Sequence, residues 1–317
     1  MRRIAMSLTL LVLVAACGSA GQDPGWQTAS GPPAGGASSE APGVGGSGGP
    51  SVIPVIISQY DVGPARFVFS FLDSEGNLPV AAPDRVAQVA FIAPGETEPG
   101  ASVPAEFAWA IQDTRGEYIA HTEFPAAGTW KAVFTTSAPD SPQEAIGVTF
   151  DVLEELPTID IGEPAPASDT LTAADVGGDL SKLSTDPNPD PEMYQLSVAD
   201  AVAQHKPFVL IFATPAFCQS AQCGPTLDEL KVIAARAPDD IVFINVEPYQ
   251  LAWTDGRLQP VLDADNQLQP VPAVDQWGIL SEPWVFAVDG QGIVRGSFEG
   301  VATEKELTEV FAEISGT

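Results

Sequence analysis

The sequence predicts two folded parts, an all-β sandwich followed by a separate α/β domain. Between about residues 51 and 153, apolar residues alternate with polar ones, which is typical of half-buried antiparallel strands. Further along, Phe208–Phe212 is an unbroken apolar run that leads into a cysteine-bearing turn and then a helical pattern. Such a run is typical of a strand buried on both faces of an α/β sheet. Gly- and Pro-rich stretches at 18–50 and 157–191 separate the two parts.

The length of 317 residues agrees with two domains and their linkers. We expect a signal peptide at 1–17, a disordered Gly/Pro/Ser tether at 18–50, a β-sandwich domain at 51–153, a Pro-rich connector at 154–195 and the α/β domain at 196–317. The tether has almost no large apolar side chains with which to form a core. A flexible chain of that length spans roughly 30 Å.

The N-terminus has the features of an export signal. Residues 1–17 contain two arginines, a run of apolar residues and small residues before a cysteine. The run is shorter than the roughly 20 residues of a membrane-spanning helix. Val14-Ala15-Ala16-Cys17 resembles the lipobox of bacterial lipoproteins. The resemblance implies that lipidated Cys17 anchors the protein to the cell membrane, on its extracytoplasmic side. The alternative is a plain secretory peptide with an incidental cysteine.

The chain is strongly acidic, with 13 Lys and Arg against 42 Asp and Glu and a formal net charge of −29. Nucleic acid is therefore excluded as a partner, because a phosphate backbone requires a basic surface. Two interpretations of the acidic charge stay open. It is either a solvated surface that keeps the protein soluble or a docking face for a basic partner.

Four sets of alternating apolar residues mark strands in the first part. They are Phe67/Phe69/Phe71, Phe107/Trp109/Ile111, Trp130/Ala132/Phe134 and Ile146/Val148/Phe150/Val152. Turn residues separate the sets, and the simplest arrangement of such strands is an immunoglobulin-like sandwich. The segments FLDSEGNLPV and PAAGTWKAVF also resemble bacterial immunoglobulin-like modules of the YtkA and FixH sort.

In the second part, short elements flank the apolar strand. We expect a helix at 197–205 with Ser197 as its N-cap, a second buried strand at 241–246 and a short helix around 273–277. The Asp289-Gly290 turn then predicts an antiparallel hairpin. Thr303 begins the last helix.

Cys218 and Cys223 lie where the apolar strand gives way to a helix. Free N–H groups and the helix dipole stabilise an anion at that position, so a thiolate there is activated as a nucleophile. Residues five apart in a regular helix have Cα atoms roughly 8.6 Å apart. A disulfide requires about 7 Å or less. Either Cys218 therefore lies in the preceding loop, or the first helical turn unwinds when the bond forms.

The order of elements in residues 196–315 resembles that of the thioredoxin fold. Phe217-Cys218 is similar to the aromatic residue and nucleophile of that family, Pro225 to its helix-kinking proline and Pro283 to its cis-proline. The resemblance implies catalytic roles for Cys218, which attacks, and Cys223, which resolves. It also implies a set of residues that hold the partner peptide: Phe217, Glu282, Pro283 and Trp284.

Two departures from thioredoxins point to a second resemblance. Four residues separate the cysteines instead of two, and Ile211 stands where the family has a buried aspartate. The wider spacing resembles the bacterioferritin-comigratory class of peroxiredoxins. In that class a threonine lies three residues before the cysteine, whereas Thr214 lies four before Cys218. That class also has an arginine upstream of its last hairpin, where this sequence has Ser281-Glu282-Pro283.

These features favour an enzyme, a membrane-anchored extracytoplasmic thiol–disulfide oxidoreductase that acts on protein thiols or disulfides. We expect neither a cofactor nor a metal. One alternative is a thiol peroxidase of the peroxiredoxin type. The other is a non-enzymatic binding lipoprotein in which Cys218–Cys223 is a permanent structural disulfide. A short disulfide loop is a poor staple, because cross-linking stabilises more when it closes a long loop.

We expect a Cys17→Ala protein to remain unprocessed or to be mislocalised, because lipidation at this residue would provide the anchor. Membrane fractionation and the mass of the purified chain measure both effects. Normal processing and membrane retention of the variant would contradict lipidation at Cys17.

Overall fold

The structure is a computed structural model that describes residues 50–316. The expected signal peptide, Cys17 and nearly all of the expected tether lie outside the described residues. Residues 50–316 belong to one compact unit. Among them, no helix has both the length and the apolar character needed to cross a membrane.

The first part of the described chain, residues 50–153 and here called the N-terminal part, has nine strands in two sheets. The strands are β1 (Val52–Ile56), β2 (Tyr60–Asp61), β3 (Gly63–Asp73), β4 (Val86–Ile92), β5 (Val103–Pro104), β6 (Glu106–Ile111), β7 (Arg115–Phe124), β8 (Gly128–Ala138) and β9 (Ser141–Leu153). One sheet has the order β1-β3-β7-β6 and the other β2-β9-β8-β4-β5. All four alternating sets recognised in the sequence lie in strands, namely β3, β6, β8 and β9.

Both sheets contribute to one aromatic core. Phe67, Phe69 and Phe71 of β3 and Phe134 of β8 have essentially no exposed surface. The rings of Phe69 and Phe134 are 4.8 Å apart across the two sheets. The sheets therefore pack face to face, because each buries its apolar side against the other.

The C-terminal part begins with three short 3-10 turns between residues 173 and 194. Its elements are α1 (Val198–Ala203), β10 (Phe208–Phe212), α2 (Cys223–Ala234), β11 (Val242–Val246), β12 (Leu251–Thr254), β13 (Arg257–Pro260), α3 (Pro272–Trp277), β14 (Trp284–Val288), β15 (Val294–Glu299) and α4 (Glu304–Ile314). Four strands form a sheet of order β11-β10-β14-β15, in which only the β10–β11 pair is parallel. The expected N-cap Ser197 is confirmed, since its side chain accepts the Asp200 N–H. The last helix begins after Thr303, and the Thr303 side chain is its N-cap, which accepts the Glu306 N–H.

The expected fold class is wrong. The described chain is built mostly of β-strands in several sheets, and its four α-helices have only 6, 12, 6 and 11 residues, so it is not an α/β thioredoxin-like fold. Between β11 and α3 the chain adds an unexpected hairpin, β12–β13. Asp255-Gly256, with φ of 53° and 78°, forms its left-handed two-residue turn. The Pro-rich connector adds only 3-10 turns, because proline lacks the N–H that a helix interior requires.

Arg66 of β3 joins the two parts of the chain. Its guanidinium donates to the Glu306 carboxylate at 2.6 Å and to the Val301 carbonyl at 2.6 Å. Both charged side chains are only 12% exposed. Burial alone would raise the pKa of Glu306, but the hydrogen bond and charge of Arg66 outweigh it and hold that pKa below its ordinary value. The ion pair therefore stabilises the folded state.

We expect Arg66→Met to lower the free energy of unfolding by about 2–3 kcal/mol, because it leaves a half-buried carboxylate and a carbonyl without their donor. Because the pKa of Glu306 is lowered in the folded state, the ion pair stabilises the fold above the ordinary glutamate pKa of 4.5, and this stabilisation is lost as the pH falls. The difference between wild type and variant should therefore shrink below that pH in urea titrations. Lys305→Met is the matched control, since Lys305 pairs with Glu106 at 2.9 Å on the exposed surface. An equal loss in both variants would contradict a special role for Arg66.

Candidate disulfide site

The site lies at one end of the four-stranded sheet. β10 and β14 are antiparallel, and Phe212 at the end of β10 pairs with Trp284 at the start of β14. The segment that leaves β10 and the segment that leads into β14 therefore meet at the same edge. The first segment carries Cys218. The second carries Glu282, which is joined to Pro283 by a cis peptide bond.

Cys218 and Cys223 form a disulfide, with their Cα atoms 6.0 Å apart. Cys218 lies in the loop after β10, and Cys223 is the first residue of α2. Of the two geometries that the spacing allows, the structure adopts the one with Cys218 outside the helix. Cys218 is half-buried, whereas Cys223 has no exposed surface. Of the two cysteines, only Cys218 has surface that an incoming group can reach.

One N–H donor and one hydroxyl lie beside the Cys218 sulphur. The backbone N–H of Cys223, at the start of α2, donates to Cys218 Sγ at 3.2 Å. The Ser220 hydroxyl is 3.3 Å from the same sulphur and donates to the Glu282 carbonyl at 3.0 Å. An amide at a helix N-terminus stabilises a negative charge. The surroundings of Cys218 therefore favour a thiolate when the disulfide opens.

The Glu282 carboxyl faces the loop between β10 and α2 that carries Cys218, here called the cysteine loop. One oxygen accepts the Gln219 N–H at 3.2 Å, and the other accepts the Tyr249 hydroxyl at 2.8 Å. Burial raises the pKa of Glu282, and the Gln219 and Tyr249 hydrogen bonds only partly oppose that effect. Burial and the nearby Glu282 charge also raise the pKa of Tyr249, so its hydroxyl stays protonated as a donor.

Among residues 50–316, one group of three potential metal-binding side chains has its ligand atoms within 4.8 Å of one another: Cys218, Cys223 and Glu282. The two sulphurs are bonded to each other and offer no thiolate to a metal. We therefore assign no metal to the site. The expected absence of metal and cofactor stays a prediction.

The N-terminal part also touches the cysteine loop. Arg115 of β7 donates to the Ser220 carbonyl at 3.3 Å, and the Gln222 amide donates to the Glu117 carboxylate at 2.6 Å. Glu117 has no exposed surface, and burial raises its pKa although Arg115 and Gln222 oppose this. The loop is therefore held from one side by Glu282 and from the other by β7.

The remaining predicted binding residues differ in their exposure. Phe217 is half-buried and lines a groove of about 660 Å³ together with Trp253 and Leu258 of the β12–β13 hairpin. Pro283 is buried, and Trp284 is only 6% exposed and donates to the Ser297 hydroxyl at 3.0 Å. Phe217 thus offers more surface to a partner than Pro283 or Trp284 does. The binding roles of all four residues stay predictions.

Sequence reasoning missed several residues of the site. They are Arg115, Glu117, Ser220, Gln222 and Tyr249. No local signal identifies Arg115 or Glu117, because their partners lie 105 residues further along the chain. The hairpin that forms one wall of the groove did have a signal, the Asp255-Gly256 pair between two short runs of alternating residues.

No protein-family model matches the chain, and no curated protein or solved structure is significantly similar to it. The family resemblances inferred from the motifs therefore stay predictions. The function must be argued from the geometry of the site.

We expect Cys218 to be alkylated before Cys223 once the disulfide has been reduced. Its sulphur is partly accessible and lies beside a helix N-terminal N–H, whereas Cys223 is enclosed. Mass-spectrometric mapping of the first residue modified by iodoacetamide below pH 7 measures the order. Cys218→Ser and Cys223→Ser proteins provide the rate of each remaining thiol. Faster modification of Cys223 would reverse the assigned roles.

Proposed function

We propose that this protein is a thiol–disulfide oxidoreductase whose redox pair is Cys218 and Cys223. The observation that carries the proposal is the asymmetry of the disulfide. Cys218 is accessible and has an N–H donor at its sulphur, while Cys223 is buried at the start of α2. An exchange reaction needs this division between a thiol that meets the partner and a thiol that acts from inside.

The position of the disulfide is a poor one for a purely structural cross-link. The bond closes a loop with a sequence separation of only five residues. Cross-linking stabilises a fold mainly by restricting the unfolded chain, and short loops gain least. β10 on one side and α2 on the other are already fixed by a buried core. The bond therefore adds little stability where it lies.

The chemistry is a pair of exchange steps. In one direction, the Cys218 thiolate attacks a disulfide of the partner protein, forms a mixed disulfide and releases one partner sulphur as a thiolate. Cys223 then attacks Cys218 Sγ, which breaks the mixed disulfide and releases the second partner sulphur. Two electrons pass to the partner, and the Cys218–Cys223 bond forms. The reverse sequence oxidises a partner dithiol.

The surroundings of the site suit a protein partner. The groove beside Phe217 presents the half-exposed Trp253 and the side chain of Arg257. Such a surface can hold an extended segment next to Cys218. We propose that the enzyme acts outside the cytoplasm, held at the bacterial cell membrane by a lipid on Cys17, because disulfide chemistry persists in that oxidising compartment.

We expect Cys223→Ser to accumulate a covalent complex between Cys218 and a partner protein in intact cells, while Cys218→Ser accumulates none. Without Cys223 the mixed disulfide persists until an external thiol removes it. Non-reducing gels followed by peptide mapping of the adduct measure the effect. Each serine variant keeps one cysteine of the pair. Non-specific oxidation would therefore give adducts in both variants, whereas exchange gives them only in Cys223→Ser.

The other two functions give different results. A peroxidase would leave sulfinic acid on Cys218 of the Cys223→Ser protein instead of a protein adduct. A binding protein with a structural disulfide would give neither product. It would also show a reduction potential below about −300 mV in a redox titration, whereas a catalytic pair lies above that value.

A further inference from the structure

We propose that Glu282 accepts the thiol proton of Cys223 when this cysteine displaces a partner from Cys218, and returns it when the disulfide opens. The inference deepens the proposed oxidoreductase function and rests on it. Sequence reasoning placed Glu282 only among the residues that hold the partner.

Distance is the first argument. A Glu282 carboxylate oxygen lies within 4.8 Å of both cysteine sulphurs. That separation accommodates a single bridging water, one of the two geometries in which a general base operates. The carboxyl is kept in place by hydrogen bonds to each of its oxygens, from the Gln219 N–H and the Tyr249 hydroxyl. Its approach to the sulphurs is therefore fixed by the fold.

The environment of Cys223 provides the second argument. Cys223 packs in a core with Val209, Ile211 and Leu227, all of which are essentially unexposed. Forming a thiolate in such surroundings is costly, and apolar side chains cannot accept its proton. Among the described residues, the carboxyl group within 4.8 Å of both sulphurs belongs to Glu282. Glu282 can therefore accept the proton that Cys223 loses.

The proton affinity of Glu282 suits the task. Burial raises the pKa of its carboxyl, which brings the group closer to neutral pH than an exposed glutamate. The carboxylate can then take a proton from the thiol and still lose it again to water. A group with an ordinary carboxyl pKa would hold the proton less well.

The resolving step balances as follows. The Cys223 S–H bond breaks, and its proton moves to the Glu282 carboxylate. The Cys223 thiolate attacks Cys218 Sγ, the Cys218–Cys223 bond forms and the bond from Cys218 to the partner sulphur breaks. The partner sulphur leaves with the electron pair as a thiolate. Glu282 then releases the proton to water. In the opposite direction, protonated Glu282 gives its proton to the departing Cys223 sulphur.

The full chain, reduced and purified in detergent, can be tested with dithiobis(nitrobenzoate), whose release of coloured nitrothiobenzoate is followed by stopped flow. The first release reports attack by Cys218 and depends on reagent concentration. The second release reports resolution by Cys223 and is independent of reagent concentration. The two steps are therefore separated in one experiment.

We expect Glu282→Gln to change the first release less than about twofold and to slow the second by about 10²-fold at pH 7, the usual contribution of a general base. The glutamine side chain keeps an acceptor for the Gln219 N–H and a polar partner for the Tyr249 hydroxyl. In wild type, the rate of the second release should change with pH as Glu282 loses its proton. This inflection should be absent in Glu282→Gln, and Glu282→Asp should recover part of the rate. Glu299→Gln, which changes another buried carboxyl with a raised pKa, is the matched control and should match wild type.

Three outcomes overturn the inference. In the first, the second release and its pH profile are unchanged in Glu282→Gln. In the second, both releases slow equally, which assigns Glu282 a role in loop position only. In the third, Glu299→Gln shows the same defect. In all three the proposed function stands as long as the Cys223→Ser protein still traps a partner protein in intact cells. Failure of the proposed function itself is distinct, because that variant would then trap no partner, whatever the rate of the second release.

Discussion

The burial of β10 on both faces determines where the site forms. Phe208, Leu210 and Phe212 contribute to the core on one face of the sheet, whereas Val209 and Ile211 contribute to the core on the other. A register slip of one residue would exchange the two sets of side chains, so both cores fix the register of β10 against β14. The cysteine loop and the segment that leads into β14 must then leave the sheet side by side. If β10 could slide along β14, the fold would no longer bring Cys218 and Glu282 together.

Local pattern predicted several of the elements but not the fold class. The apolar run of β10, the four alternating sets, the N-cap Ser197 and the start of the last helix at Thr303 depend on neighbouring residues only. The structure has all of them. The α/β assignment failed because it came from the order of the motifs, whereas strands dominate the described chain. It gave weight to helices that are short, and it overlooked the hairpin around Asp255-Gly256. The Arg66–Glu306 pair spans 240 residues, and no periodicity in the sequence encodes such a contact.

The candidate site was also only partly predictable from neighbouring residues in the sequence. The spacing of Cys218 and Cys223 correctly restricted the geometry to two possibilities, because helix dimensions forbid a disulfide five residues apart inside a regular helix. The surroundings of the pair were not predictable, since Glu117, Tyr249 and Glu282 come from separate elements. Each of these side chains contacts another element over a long sequence separation. Through Glu117, the N-terminal sheets contribute a side chain to the environment of the cysteine loop.

The charges around Cys218 oppose one another, and in the proposed exchange reaction this opposition couples electron transfer to proton transfer. The Cys223 N–H favours a thiolate on Cys218. An ionised Glu282, within 4.8 Å of the same sulphur, disfavours it. Burial raises the pKa of Glu282, so its charge is lost at a higher pH than that of an exposed glutamate. As the pH falls, Glu282 becomes neutral, repulsion of the thiolate ends and the reduced form gains stability relative to the disulfide. In the proposed mechanism, Glu282 both carries a proton away from Cys223 and adjusts the electrostatic environment of Cys218. Both effects follow from one carboxyl placed between the two sulphurs and the Tyr249 hydroxyl.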